Sequence, residues 1–184
     1  DVKLSTAKAK FGDTSMLFDG SGRAYIEGSN VLDFGAGDFT VEMFVNVTAF
    51  SSSYPTLLDA RNSNDVEGPI FTLFLNDDDK FAYFVDNSTR ITAGSAASAN
   101  TWYHVAVCRS GTSTKLFIDG TQAGNTYSDS TVYTQPNDRV ILGGYYDSAD
   151  YDFNGYIDEV RISKMARYTS NFTAPAEPFA DKGQ

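Results

Sequence analysis

Hydrophobic positions along this chain recur in short runs with a two-residue beat, and turn-forming residues separate the runs. Phe39-Thr-Val-Glu-Met-Phe-Val-Asn-Val47 is rich in β-branched and aromatic residues and partly alternates, which predicts a half-buried strand. Pro69-Ile-Phe-Thr-Leu-Phe-Leu75 and Lys80-Phe-Ala-Tyr-Phe-Val85 flank the polar cluster Asn76-Asp-Asp-Asp79, so they read as a hairpin with a charged tip. Trp102-Tyr-His-Val-Ala-Val-Cys108 is followed by Ser110-Gly-Thr-Ser113 and then by Lys115-Leu-Phe-Ile118. Asp119-Gly120 closes that strand with the signature of a type I′ turn, in which both central residues take positive φ. Arg139-Val-Ile-Leu142 runs into Gly143-Gly144, and Gly155-Tyr-Ile-Asp-Glu-Val-Arg-Ile162 makes a long strand after a loop rich in Asp and Tyr. Only Ser163 to Tyr168 has a helical look, that of a single turn.

Many short strands spaced by turns predict an all-β fold, an antiparallel two-sheet β-sandwich. No internal repeat or domain boundary is visible, so residues 1–184 read as one domain. The linker-like stretches are the first few residues and the Pro-containing tail from Ala174 to Gln184. Along the hairpin, Phe71, Leu73 and Leu75 alternate with Thr72, Phe74 and Asn76, which suggests one buried and one mixed face. If the mixed face carries a ligand groove, Phe74, Asn76 and Tyr83 are candidates to line it.

Composition narrows the functional classes. The formal net charge of -10 and 14 scattered Lys and Arg oppose a sequence-independent grip on nucleic acid. No stretch approaches the roughly 18 apolar residues of a membrane span, and the polar start does not read as a signal peptide. The acids divide into 19 Asp and 5 Glu, a ratio that favours turns and strand ends over helices and supplies short carboxylates of the type that hold calcium. Cys108 is the one cysteine and lies in an apolar run, so it reads as a buried small hydrophobe.

Taken in order, several segments resemble laminin G-like domains of the concanavalin A-like lectin/glucanase group. They are Phe11 to Gly20, Asp38-Phe-Thr-Val-Glu42, Trp102 to Val107, Leu116-Phe-Ile-Asp-Gly120, Leu142-Gly-Gly144 and Gly155 to Ile162. The resemblance covers residues 11 to about 164 and leaves 165–184 as a C-terminal tail. It implies a jelly roll of two sheets of about six strands, with the terminal strands paired and Trp102 in the core. It also implies binding of glycans, proteins or lipids, often with calcium, and glycoside hydrolysis in a minority of members. Arg161-Ile-Ser-Lys-Met-Ala-Arg-Tyr-Thr-Ser-Asn-Phe-Thr173 is similar to the close of such domains in bacteriophage tail, fibre and particle-surface proteins.

The residues argue against an enzyme. A retaining glycosidase needs two carboxyl groups about 5 Å apart, and jelly-roll glucanases carry them as Glu-x-Asp-x-Glu on one strand. No such string occurs. Glu67 with Asp65 is the one Glu with an acid two positions away, and that pair lies in a turn-like segment. His104 is the single histidine and reads as structural, with a ring nitrogen bonded to backbone. No Gly-x-Ser-x-Gly elbow or phosphate loop accompanies it.

Two places could hold calcium. The resemblance implies a site joining Asp19, in Asp19-Gly20, to Asp158, in Ile157-Asp158-Glu159. The alternative is that Asp158 bonds backbone or Arg161. The second place is the loop of Tyr145, Tyr146, Asp147, Asp150, Tyr151 and Asp152, where rings could cover a pyranose and carboxylates could bond its hydroxyls. A solvated charged loop is the alternative there. The expectation is therefore a non-enzymatic, lectin-like module, calcium-assisted, extracellular or on a virion surface, and open to homo-oligomerisation. Its rival is a decoration or docking module that binds another particle protein and no sugar, with a glycoside hydrolase a more remote third.

Overall fold

The computed structural model describes residues 1–27, 30–50, 53–61, 69–135, 139–146 and 148–180. Among them the strands follow in the order β1 (Val2–Ser5), β2 (Ser15–Asp19), β3 (Ala24–Glu27), β4 (Phe39–Val47), β5 (Thr56–Asp59), β6 (Thr72–Leu75) and β7 (Phe81–Val85). Then come β8 (Ser88–Thr92), β9 (Trp102–Ser110), β10 (Ser113–Ile118), β11 (Thr121–Ser128), β12 (Arg139–Leu142) and β13 (Asn154–Ser163). One sheet has seven strands in the order β1-β2-β13-β4-β9-β10-β11, and the other has six in the order β3-β12-β5-β6-β7-β8. Every pairing between these strands is antiparallel, and the first and last strands of the chain are neighbours through β2. This is the expected jelly-roll sandwich.

The two-residue beat builds the core. Phe39, Val41, Met43, Val45 and Val47 of β4 face Leu73, Leu75, Phe81, Tyr83 and Val85 of the opposite sheet, with Phe18, Val105, Val107, Leu116 and Phe153 filling the layer. Each such buried side chain contributes about 1.5–3 kcal/mol of transfer free energy. The 76–79 hairpin forms as predicted, with Asn76 Oδ1 accepting from the Asp78 and Lys80 main-chain N–H groups at 3.2 and 2.9 Å. Asp119 and Gly120 take φ of 50° and 79°, the expected I′ turn. A Cβ on Gly120 would stand 2.1 Å from the Phe172 carbonyl oxygen, so only glycine fits there.

Four expectations are corrected. Residues 163–168 form no helical turn; β13 ends at Ser163 and the chain continues without regular structure. Trp102 is not a core residue: it shares strand parity with His104 on the outer face of β9 and is only half-buried. Tyr83 is paired with Leu73 and therefore faces the core, where its hydroxyl bonds that of Tyr133; it cannot line an outer groove beside Phe74. Asn76 is occupied in the hairpin tip rather than in a groove.

The linker-like tail also behaves differently from expectation through residue 180. It crosses the outer face of the seven-stranded sheet as a strap. Tyr168 and Phe172 stack at 3.6 Å over Phe117, Ala106 and Cys108. Further along, the Phe179 N–H donates to Glu159 Oε2 at 2.6 Å and its ring lies beneath the Arg161 guanidinium at 3.9 Å. This cover, together with Phe11 packed on Phe44 and Lys8 bonded to Asn46, buries β4 on both faces along its whole length, where a half-buried strand was expected. Cys108 is buried and unpaired, as expected.

Candidate functional site

Strand parity and register create the floor of a groove on the outer face of the six-stranded sheet. Leu73 and Leu75 enter the core, so Thr72 and Phe74 stand outside. The β6–β7 register sets Thr72 opposite Phe84, which brings Phe84 to the same face. On β5, Thr56 lies opposite Phe74 and Asp59 opposite Thr72.

Asp59 is fully buried at the end of β5 and organises the groove's one cation. Its carboxylate accepts the Thr72 hydroxyl at 2.6 Å, Arg61 Nε at 2.8 Å and the Arg61 main-chain N–H at 3.1 Å. Burial pushes the Asp59 carboxyl above its ordinary range, against the pull of Arg61 and Thr72. Clamped in this way, the Arg61 guanidinium lies over the Tyr145 ring, 4.0 Å from its centroid, and 5.6 Å from that of Phe84.

The loop after β12 supplies the opposite wall. Gly143 takes φ of 74°, and its missing side chain leaves room for the Phe18 ring, which an added Cβ would meet at 2.1 Å. Phe153 N–H donates to the Gly143 carbonyl at 3.0 Å and closes the loop. Within it, Ala149–Tyr151 forms a 3₁₀ turn whose Asp150 N–H donates to Ser148 Oγ, and this turn carries Tyr151 back to within 4.9 Å of Tyr145. Tyr54 follows at 6.1 Å from Tyr151 and 6.0 Å from Phe74. Aromatic rings thus run from Phe74 through Tyr54 and Tyr151 to Tyr145, around a groove of about 210 Å³.

The predicted loop residues divide. Tyr145 and Tyr151 line the groove. Tyr146 turns the other way, toward Arg139 and the Tyr25 side of the sheet, and its carbonyl accepts from Arg23 Nη1 at 2.9 Å. Asp152 is buried against Arg23 Nε at 2.7 Å, which makes it a strut of the loop, and it also lines the hollow beside Asp150. Asp150 is exposed and borders an adjoining hollow of about 410 Å³, shared across Tyr54 and Tyr151. Asp147 lies outside the described residues, as does the Asp65–Glu67 pair.

Asp19 and Asp158 do not converge. In the β2–β13 ladder Asp19 sits opposite Asn154 and Ile157 opposite Met16, so the two carboxylates lie at opposite ends of the pairing. Asp19 Oδ1 accepts the Ser21 main-chain N–H and hydroxyl at 3.0 and 2.6 Å. Asp158 accepts the main-chain N–H groups of Lys10, Phe11 and Glu159 at 2.8, 3.2 and 3.0 Å. It pins a bulge at Glu159, φ 53°, that turns Arg161 toward Glu42. Among the described residues no three His, Cys, Asp or Glu side chains gather as a metal set.

His104 is structural, but its partner is a carboxylate and not backbone: Nε2 lies 3.0 Å from Glu42 Oε2. Glu42 also receives Arg161 Nε at 2.8 Å and the Tyr168 hydroxyl at 2.9 Å. Despite burial, these donors hold its carboxyl below the ordinary value. The hydroxyl of Tyr168 is pushed up to about 12 by burial and by that carboxylate.

Sequence reasoning missed Tyr54, Arg61 and Phe84. Phe84 was within reach: continuing the alternation of β6 across the hairpin places it with Thr72. Arg61 carries only the weak signal of an acid two positions earlier, and its role depends on contacts with residues more than eighty positions away.

The fold and the groove together define a jelly-roll β-sandwich with an aromatic-walled surface groove. Residues 19–170 match the laminin G branch of the concanavalin A-like lectin/glucanases superfamily, and the chain belongs to that superfamily. A search of curated proteins gave no match. Among solved structures, domain 4 of AbnA, an extracellular arabinanase from Geobacillus stearothermophilus in complex with arabinotriose, is similar with a TM-score of 0.70 and 16% identity. That similarity covers 90% of this chain and 76% of that one. The carbohydrate-binding module CBM40 of a Ruminococcus gnavus IT-sialidase, bound to α2,3 sialyllactose, is similar with a TM-score of 0.62 and 15% identity, covering 81% and 94%. A Trypanosoma rangeli sialidase mutant displaying trans-sialidase activity has a TM-score of 0.64 and 14% identity, with 91% of this chain covering 28% of that one. At these identities the likeness is one of fold.

Proposed function

We propose that this chain is a non-catalytic carbohydrate-binding module whose ligand lies in the Tyr145–Tyr151 groove. The observation that carries the reading is the set of rings converging on one outer face, beside a clamped guanidinium and the hydroxyls of Thr72 and Thr89. Rings of this kind cover the apolar face of a pyranose or furanose, while fixed polar groups orient its hydroxyls. The sandwich is shared with an arabinanase domain in complex with arabinotriose and with a sialyllactose-bound module, which supports the same reading.

The non-catalytic part of the reading rests on the described lining of the groove. The described lining contains no carboxylate, and Asp59 lies sealed beneath Arg61, so no pair of acids of the glycosidase type stands on the described face. Calcium assistance is tested by titrations in calcium and in EDTA: weaker binding in EDTA would support it, and equal affinities would remove it. The setting we infer is extracellular or on a particle surface, on the resemblance of Arg161–Thr173 to the close of phage-surface domains; no described helix is long and apolar enough to cross a membrane.

The test is a glycan array followed by calorimetric titration of the hits with the wild type and with Tyr145→Ala and Tyr151→Ala. The reading expects binding that each variant weakens about tenfold or more while the fold persists. A blank array with folded protein would favour the docking-module alternative.

A further inference from the structure

The groove's charge is at odds with that of the molecule around it. The chain carries a formal net charge of -10, yet among the described residues the charged side chain lining the groove is Arg61. We propose that the groove selects glycans bearing an anionic substituent, a carboxylate or a sulfate ester, received by the outward edge of the Arg61 guanidinium. This deepens the carbohydrate-binding reading and rests on it.

Three features of Arg61 support the assignment. Its Nε edge is committed to Asp59 at 2.8 Å, and one face of its plane to Tyr145 at 4.0 Å. The two Nη groups make no hydrogen bond among the described residues, and the side chain retains 15% exposure. A planar fork with one edge tied down and the other directed to solvent is the geometry that takes a carboxylate or sulfate through two parallel N–H···O bonds. Because Asp59 and Tyr145 already hold the guanidinium, an arriving anion orders little further side chain.

Asp59 offsets part of the cation's charge, but it does so from below. Its oxygens are occupied by Arg61 and Thr72, and it is fully buried. Among the described residues an anion in the groove therefore meets N–H donors and no facing carboxylate. Tyr145 and Tyr151 stand next to the fork, so a ring stacked on them can present a carboxylate or sulfate to Arg61. A neutral sugar would use the rings and leave the fork to water. Charge-assisted bonds of this type contribute enough to change affinity by about tenfold or more.

The experiment uses an array holding neutral, carboxylate-bearing and sulfated glycans in matched series, followed by titration of the acidic hit against its methyl ester or desulfated form. Hits confined to acidic members, at least tenfold weaker binding of the neutralised form, and affinity that falls as sodium chloride rises would support the proposal. Which acidic series binds distinguishes carboxylate from sulfate. Arg61→Lys keeps a cation over Asp59 but removes the fork, and it should lower acidic-glycan affinity about tenfold. Equal binding of the acid and its ester, or an unchanged Arg61→Lys variant, would overturn the proposal. If neutral glycans bind equally well and Tyr145→Ala abolishes their binding, the groove reading stands and the anion preference falls. If nothing binds, both fall. The acid–ester comparison is made on wild-type protein, so it does not depend on how any variant folds.

Discussion

The outer faces of the two sheets differ in what covers them. On the seven-stranded sheet, Glu42, His104, Ala106, Cys108 and Phe117 lie under the chain's own strap, where Tyr168, Phe172 and Phe179 occupy the apolar surface and Tyr168 and Arg161 satisfy Glu42. On the six-stranded sheet, Phe74, Phe84, Tyr54, Tyr145 and Tyr151 form an equally aromatic surface that no segment of the described chain crosses. The difference assigns roles. A buried carboxylate fully supplied with donors is a fastening, whereas on the proposed reading the rings around an open groove, with a guanidinium edge unspent, are the binding surface. Sealing one face also limits the aromatic area left to attract other proteins.

Substitutions that separate stability from binding test this contrast. The largest expected effect is at the fastening: Glu42→Ala leaves His104 and Arg161 without their shared carboxylate and should cost about 3–5 kcal/mol. Chemical denaturation would measure it, and the glycan affinity of the remaining folded fraction should not change. Phe172→Ala removes the ring stacked on Tyr168 and should cost about 2–3 kcal/mol, a moderate truncation because the ring is half-buried. In the groove the order reverses. Tyr145→Ala should weaken glycan binding by about 1–2 kcal/mol while shifting stability by less than that, read by calorimetry and thermal melting side by side.

Acid should act through the sealed face as well. Glu42 has a folded pKa below its unfolded value near 4.3. Its contribution is therefore present above that value and lost as pH falls through the folded pKa. Asp59 runs the other way: its folded pKa is raised, so its contribution is present at low pH and lost as pH rises through that folded value. Glu42→Gln should therefore flatten the loss of stability of the wild type below about pH 4.5, seen as converging melting temperatures. The smallest effect concerns Cys108, which a thiol reagent should modify only as fast as the protein opens, because the thiol is sealed beneath Tyr168.

Strands and hairpins were legible because their signals are local. Alternation in Phe39–Val47 and the Asp119-Gly120 pair determine their structure within a few residues. The bulge at Glu159 was not, although it decides that Val160 and Ile162 pack inward and that Arg161 meets Glu42. Nor was the strap, since Tyr168, Phe172 and Phe179 are spaced at neither helix nor strand period and acquire meaning only against Phe117 and Phe44. At the site, composition found Tyr145 and Tyr151, the residues with the most visible chemistry. Of the acids named with them, Asp152 bonds Arg23, and Asp158, which the resemblance offered for calcium, serves the Lys10–Phe11 backbone. Aspartate is as useful for tying loops as for holding ligands, and sequence alone does not separate the two uses.

The most direct test of the open face is amide chemical-shift mapping of the ¹⁵N-labelled protein during titration with the best array hit. The account predicts saturable shifts clustered at Thr72, Phe84, Thr89, Tyr145 and Tyr151, with the strap residues Tyr168 and Phe172 unmoved. Saturable shifts confined to the strap side, around Trp102 and Phe172, would contradict it.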